Sequence, residues 1–334
     1  MTLTRSGMLF SIYSIIIFLT IIITIPSISI DHTDGLTIKN YFEVYGSPLA
    51  IDDFTSASSI PEDFNFGAAG DWGCTSDTIK TLENILDKSP ELMLGLGDYS
   101  YEDSAQCWLD MIDPIADRTM IAIGNHDVES PEKLDAYMNN FGLKEQYYSF
   151  DYENIHFTTI SIELPFEEGS SQYSFVNNDL EKASMDPNID WIVVYYHNLA
   201  YTSPADVGKG NSADKELRDT YHPLFDKYNV DLVLQAHNHN YQRSYPIIYN
   251  FEDSKNPTIT DNDKNKYYNP KGIIFSTVGT GGAEAYPLTG QAPYIANQYI
   301  GFGFLNMDVM NNGETLSGKF YANDGKIKDH FTIT

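Results

Sequence analysis

The chain has 334 residues, 42% hydrophobic and 13% aromatic, a content that fills a core and excludes a disordered chain. Forty-seven Asp and Glu against 20 Lys and Arg leave a formal charge of -27, which repels phosphate backbones and anionic headgroups and excludes nucleic acid as a bound partner. A small anionic substrate would therefore need a local source of positive charge, and bound metal cations are the usual one.

Arg5 precedes an uncharged apolar stretch at residues 8–30, long enough as a helix at ~1.5 Å per residue to cross a bilayer's hydrocarbon. It reads as a retained membrane anchor, as a cleaved signal peptide, because Pro26, Ser27 and Ser29 imitate a cleavage site, or, as the plain alternative, as a buried core helix. The first two readings put the rest of the chain outside the cytoplasm, anchored or secreted, with the membrane touched by this segment alone. Residues 31–63 are polar and rich in Ser, Asp and Thr, a linker or extension. A compact domain is expected over 64–334.

That domain opens with the strand "FNFGAA" and Gly-Asp, then "TIKTLENIL", whose Ile79, Leu82, Ile85 and Leu86 recur at helical spacing. The strand "ELMLGLGD" follows, then a helix around Cys107 to Ile115, the strand "RTMIAIG" and a helix near Pro131 to Asn140. This alternation implies a mainly parallel sheet with buried strands. "YYSFDY", "IHFTTISI" and "QYSFV" suggest antiparallel pairing, "WIVVYYH" and "VDLVLQAH" are two further strand-helix units, and the tail is rich in strands. The cysteines, Cys74 and Cys107, read as one disulfide joining two loops, or as two separate buried thiols.

Each apolar strand ends in a polar cluster: "GDWG" presents Asp71, "GDYSY" Asp98 and Tyr101, "GNHD" Asn125 and His126, "VYYH" His197, and "AHNH" His237 and His239. Singly each has a plain explanation. Asp after Gly makes turns and caps, a Tyr is usually a packed ring, and His-x-His pairs are common by chance. Together, ligand-type residues stand at five successive strand ends, and half of the eight histidines are among them. In open α/β sheets ligands bind outside the carboxyl ends of the strands, so the five clusters converge on one crevice.

These motifs, in this order, resemble those of the purple acid phosphatase branch of the calcineurin-like metallophosphoesterases, as do the flanks "HNLAYTS" and "HNYQRS". The resemblance implies a four-layer α/β/β/α sandwich of two mixed sheets with a dimetal site at the strand C-terminal ends, and makes 64–334 the catalytic domain. It implies that Asp71, Tyr101 and His239 hold one metal, Asn125, His197 and His237 the other, and Asp98 both. Phenolate and carboxylate suit Fe(III), while imidazoles and an amide oxygen suit Fe(II), Zn(II) or Mn(II). It further implies an acid phosphatase acting on phosphate monoesters through a metal-bound hydroxide, with His126 stabilising the transition state and protonating the leaving group. Asp127 is expected to orient His126 or to cap the next helix. One departure stands out: Ala236 occupies a position that is usually Gly, which predicts a slightly shifted loop. Phosphodiesters, nucleotides and pyrophosphate suit the same metal pair, and a non-catalytic metal-binding surface module is the competing reading from another class. Oligomeric state is not written in the sequence.

Overall fold

The computed structural model describes residues 63–203 and 213–334. The apolar stretch at 8–30 lies outside them, as does the extension up to residue 62. Among the described residues no helix is long and apolar enough to cross a membrane.

In chain order the elements are β1 (Phe64–Ala69), α1 (Ser76–Lys88), β2 (Leu92–Gly95), α2 (Gln106–Ile112), β3 (Thr119–Ile121), α3 (Pro131–Asn140), β4 (Tyr148–Tyr152) and β5 (Ile155–Thr159). Then come α4 (Ser171–Ala183), β6 (Trp191–Tyr195), α5 (Lys215–Lys227), β7 (Leu232–Gln235), β8 (Tyr241–Ser244), β9 (Ile247–Ile248), β10 (Thr258–Ile259) and β11 (Lys266–Tyr267). The tail is all strand: β12 (Ile274–Val278), β13 (Ile295–Tyr299), β14 (Gly303–Met310), β15 (Thr315–Ala322) and β16 (Ile327–Ile333).

Two seven-stranded sheets face each other, ordered β11-β16-β15-β14-β1-β2-β3 and β13-β8-β12-β7-β6-β5-β4. Both are mixed. β1, β2 and β3 run parallel while β14 joins β1 antiparallel; β5, β6, β7 and β12 run parallel while β4 and β8 are antiparallel. Strand periodicity supplies the central core: Phe64, Phe66 and Ala68 of β1 point at Phe157, Val193 and Leu234 of the other sheet. The outer faces are covered by α1, α2 and α3 on the first sheet and by α4 and α5 on the second. This is the expected α/β/β/α sandwich, and fully burying each large apolar side chain contributes about 1.5–3 kcal/mol.

The helix read over "TIKTLENIL" is α1, with a narrower apolar face than its spacing suggests, and one local reading is corrected. In α1, Leu82 and Ile85 are buried but Ile79 and Leu86 are exposed, and Thr78 and Thr81 take the inner face. Threonine is tolerated there because Thr78 Oγ1 donates to the carbonyls of Trp72 and Gly73 at 2.6 and 2.9 Å, which fastens the β1–α1 loop to the helix. The stretch "QYSFV" is not a strand but the first turns of α4. Ser170 caps it by accepting from Tyr173 N at 3.0 Å, and Gln172, Val176, Leu180 and Ala183 form its inner stripe, so helical burial overrides the aromatic content.

Beneath α4 sits a buried histidine remote from the strand ends. His156 Nδ1 is 2.6 Å from Asp151 Oδ1 and Nε2 is 3.0 Å from Asp179 Oδ2. Burial opposes its charge, but the two carboxylates outweigh burial and raise its pKa to about 9. With the folded value above the unfolded one, this stabilisation is complete below about pH 6.5 and is lost as pH rises through about 9, on the order of 2–3 kcal/mol. Urea unfolding of wild type is expected to show that alkaline loss and His156→Gln to lack most of it; identical pH profiles would refute it.

Candidate metal centre

The parallel strands bring their C-terminal ends to one rim. The loops after β1, β2, β3, β6 and β7 carry Asp71, Asp98 with Tyr101, Asn125 with His126, His197, and His237 with His239. Asp71, Asp98 and His237 have φ of 56°, 54° and 66°, left-handed values that non-glycine residues seldom take. Strain of this kind is held by the surrounding structure and clusters at functional sites. Gly97, at φ +87°, lets the chain turn sharply ahead of Asp98.

The side chains gather in two groups. In the first, Tyr101 Oη lies 3.1 Å from Asp71 Oδ1 and 2.9 Å from His239 Nε2, with His239 Nε2 3.3 Å from Asp71 Oδ1. In the second, His197 Nε2 lies 3.0 Å from His237 Nδ1 and 3.1 Å from Asp98 Oδ2. Asp98 Oδ2 is also 3.4 Å from Tyr101 Oη, so it touches both groups. Two histidines are aimed by backbone carbonyls: His197 Nδ1 donates to Leu96 O at 2.8 Å and His239 Nδ1 to Glu284 O at 2.7 Å. Each keeps Nε2 for the site, the usual second-layer arrangement of a metal-binding imidazole.

Several observations fit cations. Asp71 Oδ2 and Asn125 Oδ1 are buried acceptors with no hydrogen-bond partner among the described residues. A buried oxygen left this way carries its full desolvation cost unless something positive faces it. Asp98, His197 and His237 also offer ligand atoms all within 4.8 Å of one another. Burial would push Asp98 up and His197 down, yet their attraction for each other outweighs burial and leaves Asp98 at about 2 and His197 at about 10. Burial and then His197 push His237 down to about 4. Burial, followed by the Asp71 carboxylate, pushes the Tyr101 phenol far up, so it is neutral unless a strong cation faces it.

One expectation beside the ligands changes. Asp127 neither orients His126 nor caps α3, whose cap is Ser130. It is fully buried, and its oxygens accept the backbone N–H of Asp98, Tyr99 and Gly124 at 2.8–3.0 Å, locking two ligand loops together. At the turn after β7 the left-handed residue is His237 and not Ala236. The Ala236 methyl rests over Gly70, where an added Cβ would come within 2.7 Å of it; the room is made by the opposite glycine. His237 and His239 follow directly on the end of a strand. β7 ends at Gln235, and the turn directs Nδ1 of one and Nε2 of the other to different groups.

Cys74 and Cys107 form a disulfide joining the loop after Asp71 to α2, with Cα atoms 6.1 Å apart. The sequence reading missed two features. Tyr286 stacks on His239 with ring centroids 3.9 Å apart, a contact across 47 residues that no local spacing announces. Glu129 stands beside His126 and Lys133 beside Glu129, and there the i, i+3 and i, i+4 spacings carried a readable signal.

The calcineurin-like phosphoesterase family profile matches residues 64–241. Purple acid phosphatase 21 of Arabidopsis thaliana is 28% identical over 264 residues, 73% of this chain and 55% of that protein. Probable inactive purple acid phosphatase 27 of the same plant is 27% identical over 301 residues, 81% of this chain and 47% of that protein. The chain thus spans about half the length of the curated relatives it matches. The solved structure of a purple acid phosphatase from yellow lupin (Lupinus luteus) seeds superposes with a TM-score of 0.73 at 23% identity, over 82% of this chain and 54% of that one, and shares its fold. The chain belongs to the calcineurin-like phosphoesterase family and is similar, within it, to the purple acid phosphatases.

Proposed function

We propose that this protein is an extracytoplasmic acid phosphatase that hydrolyses phosphate monoesters at a dinuclear centre of Fe(III) with Fe(II), Zn(II) or Mn(II). One observation carries the reading: two donor groups meet at Asp98 Oδ2, with buried, unpartnered oxygens of Asp71 and Asn125 among the candidate ligands. Asp71, Tyr101 and His239 would hold the trivalent ion, Asn125, His197 and His237 the divalent one, and Asp98 both. When bound, the two cations supply the positive charge that draws a phosphate to this acidic chain and activate water for in-line attack at phosphorus. His126, whose backbone N–H donates to Asp98 Oδ1 at 2.8 Å, sits at the mouth with its side chain 36% exposed, placed to give a proton to the leaving oxygen. The Cys74–Cys107 disulfide and the apolar stretch at 8–30 support a location outside the cytoplasm.

The test is metal analysis and a visible spectrum of the purified domain, with monoester and diester hydrolysis followed across pH. Two metals and a monoester preference in acid support the proposal, and a diester preference would replace the substrate class. Similarity to relatives described as inactive favours a second reading, metal binding without turnover, and metal-loaded protein inert toward both esters would establish it. Tyr101→Phe is expected to abolish the phenolate-to-iron colour while the protein keeps at least one metal; a persistent colour would refute phenolate ligation.

A further inference from the structure

One chain of polar contacts runs into the site without belonging to the seven donors. His126 Nδ1 lies 2.6 Å from Glu129 Oε1. The second oxygen, Glu129 Oε2, accepts from Lys133 Nζ at 3.0 Å, and Lys133 Nζ also donates to the Ser100 carbonyl at 2.7 Å, one residue before Tyr101. The His126 ring packs on Tyr101 with centroids 4.5 Å apart.

As surface ion pairs these contacts would contribute little, since His126 and Glu129 side chains are 36% and 47% exposed. Their rigidity comes from the far end. Lys133 is only 2% exposed, and a buried ammonium is tolerated only where its donors are satisfied. Ser100 O and Glu129 do that, while Ser130 Oγ accepts from Lys133 N at 3.1 Å and fixes the first turn of α3. The arm therefore ties the start of α3 to the Tyr101 loop and reaches His126 through one carboxylate.

We propose that Glu129, braced by Lys133, is the positioning residue for His126: it holds the proton on Nδ1, fixes the ring plane and leaves Nε2 to face the leaving oxygen. The proposal rests on the reading of His126 as leaving-group acid. In that step a water oxygen bonds to phosphorus, the ester P–O bond breaks, and the Nε2 proton passes to the departing oxygen. The ring left behind is the Nδ1–H tautomer already bonded to Glu129, so it need not turn over, and the proton released by the attacking water restores the starting state.

The test compares wild type, His126→Ala, Glu129→Ala, the isosteric Glu129→Gln and the double His126→Ala/Glu129→Ala, each checked for metal content and thermal unfolding. On an alkyl phosphate, whose leaving group needs a proton, Glu129→Ala and Glu129→Gln are expected to lower kcat about 10- to 100-fold with KM changed less than about threefold. On 2,4-dinitrophenyl phosphate, whose leaving group does not, the loss is expected to stay below about threefold. The double variant is expected to be no slower than His126→Ala. Nitrogen-15 NMR of the zinc-loaded protein, at a pH high enough for the ring to be neutral, is expected to show the Nδ1–H tautomer of His126 in wild type and a mixture in Glu129→Ala. Equal losses on both substrates for the Glu129 variants, a further loss in the double variant, or an Nε2–H tautomer in wild type would overturn the positioning role. Equal losses on both substrates for His126→Ala would overturn the acid reading itself, and this proposal with it.

Discussion

Asp98→Asn is expected to release both metals together and to lower turnover by roughly three orders of magnitude, because one carboxylate serves both donor groups. Its Oδ2 touches His197 on one side and Tyr101 on the other, and Oδ1 accepts from His126 N at 2.8 Å. Asparagine keeps the shape and one acceptor but removes the charge that His197 now balances. Asp71→Asn, which alters one group alone, is expected to weaken a single metal. Mass-spectrometric metal counts separate the two cases: about two ions per chain falling to fewer than about one in Asp98→Asn, against about one in Asp71→Asn. Retention of both metals and activity by Asp98→Asn would remove the bridging assignment.

The largest expected loss of stability lies away from the metals. Arg243 of β8 meets Asp329 of β16 through Nε–Oδ2 at 2.6 Å and Nη2–Oδ1 at 3.1 Å, joining the two sheets where both side chains are 1% exposed. Tyr241 Oη and Asn297 Nδ2 donate to the same carboxylate at 2.7 and 2.8 Å, and Tyr267 Oη and Lys264 O accept from the guanidinium, each at 2.8 Å. Arg243→Met leaves the Asp329 charge buried without its partner, which costs about 3–5 kcal/mol. Arg243→Met/Asp329→Leu is expected to be less destabilised than the sum of the single changes, since no lone charge remains. Urea midpoints provide the readout; an Arg243→Met midpoint within error of wild type would exclude the pair as a structural tie.

The "HNYQRS" flank is legible in part through such contacts. Its Arg243 is the inter-sheet tie, and Gln242 joins the loop after β6 by accepting from Ser203 N at 2.6 Å and donating to Thr202 Oγ1 at 2.9 Å. These contacts hold the segments after β6 and β7 in place, and neither residue is among the candidate ligands. The misreading of "QYSFV" has the opposite cause. Aromatic and β-branched residues favour strands in isolation, but the Ser170 cap and an i, i+4 stripe against the second sheet decide for helix.

The sequence by itself determined the residue types of the site and their places at strand ends, because an apolar strand closed by Gly-Asp or Asn-His must leave that polar group at the rim of a buried sheet. The alternation of apolar strands and helices pointed to parallel strand-helix units, while the two-sheet sandwich followed from the resemblance that the strand-end motifs carry. Local spacing says nothing of which donors meet; the resemblance named the sets, and the tertiary structure supplies the contacts. Tyr101 joins Asp71 and His239 across 30 and 138 residues, and the nitrogens that His197 and His239 present are set by the carbonyls of Leu96 and Glu284. Left-handed turns at Asp71, Asp98 and His237, the methyl of Ala236 over Gly70, and Asp127 serving two loops instead of His126 are likewise outcomes of packing between distant segments. Local spacing encodes which side of an element a residue occupies; the partner it finds is fixed by what the two sheets bring opposite it.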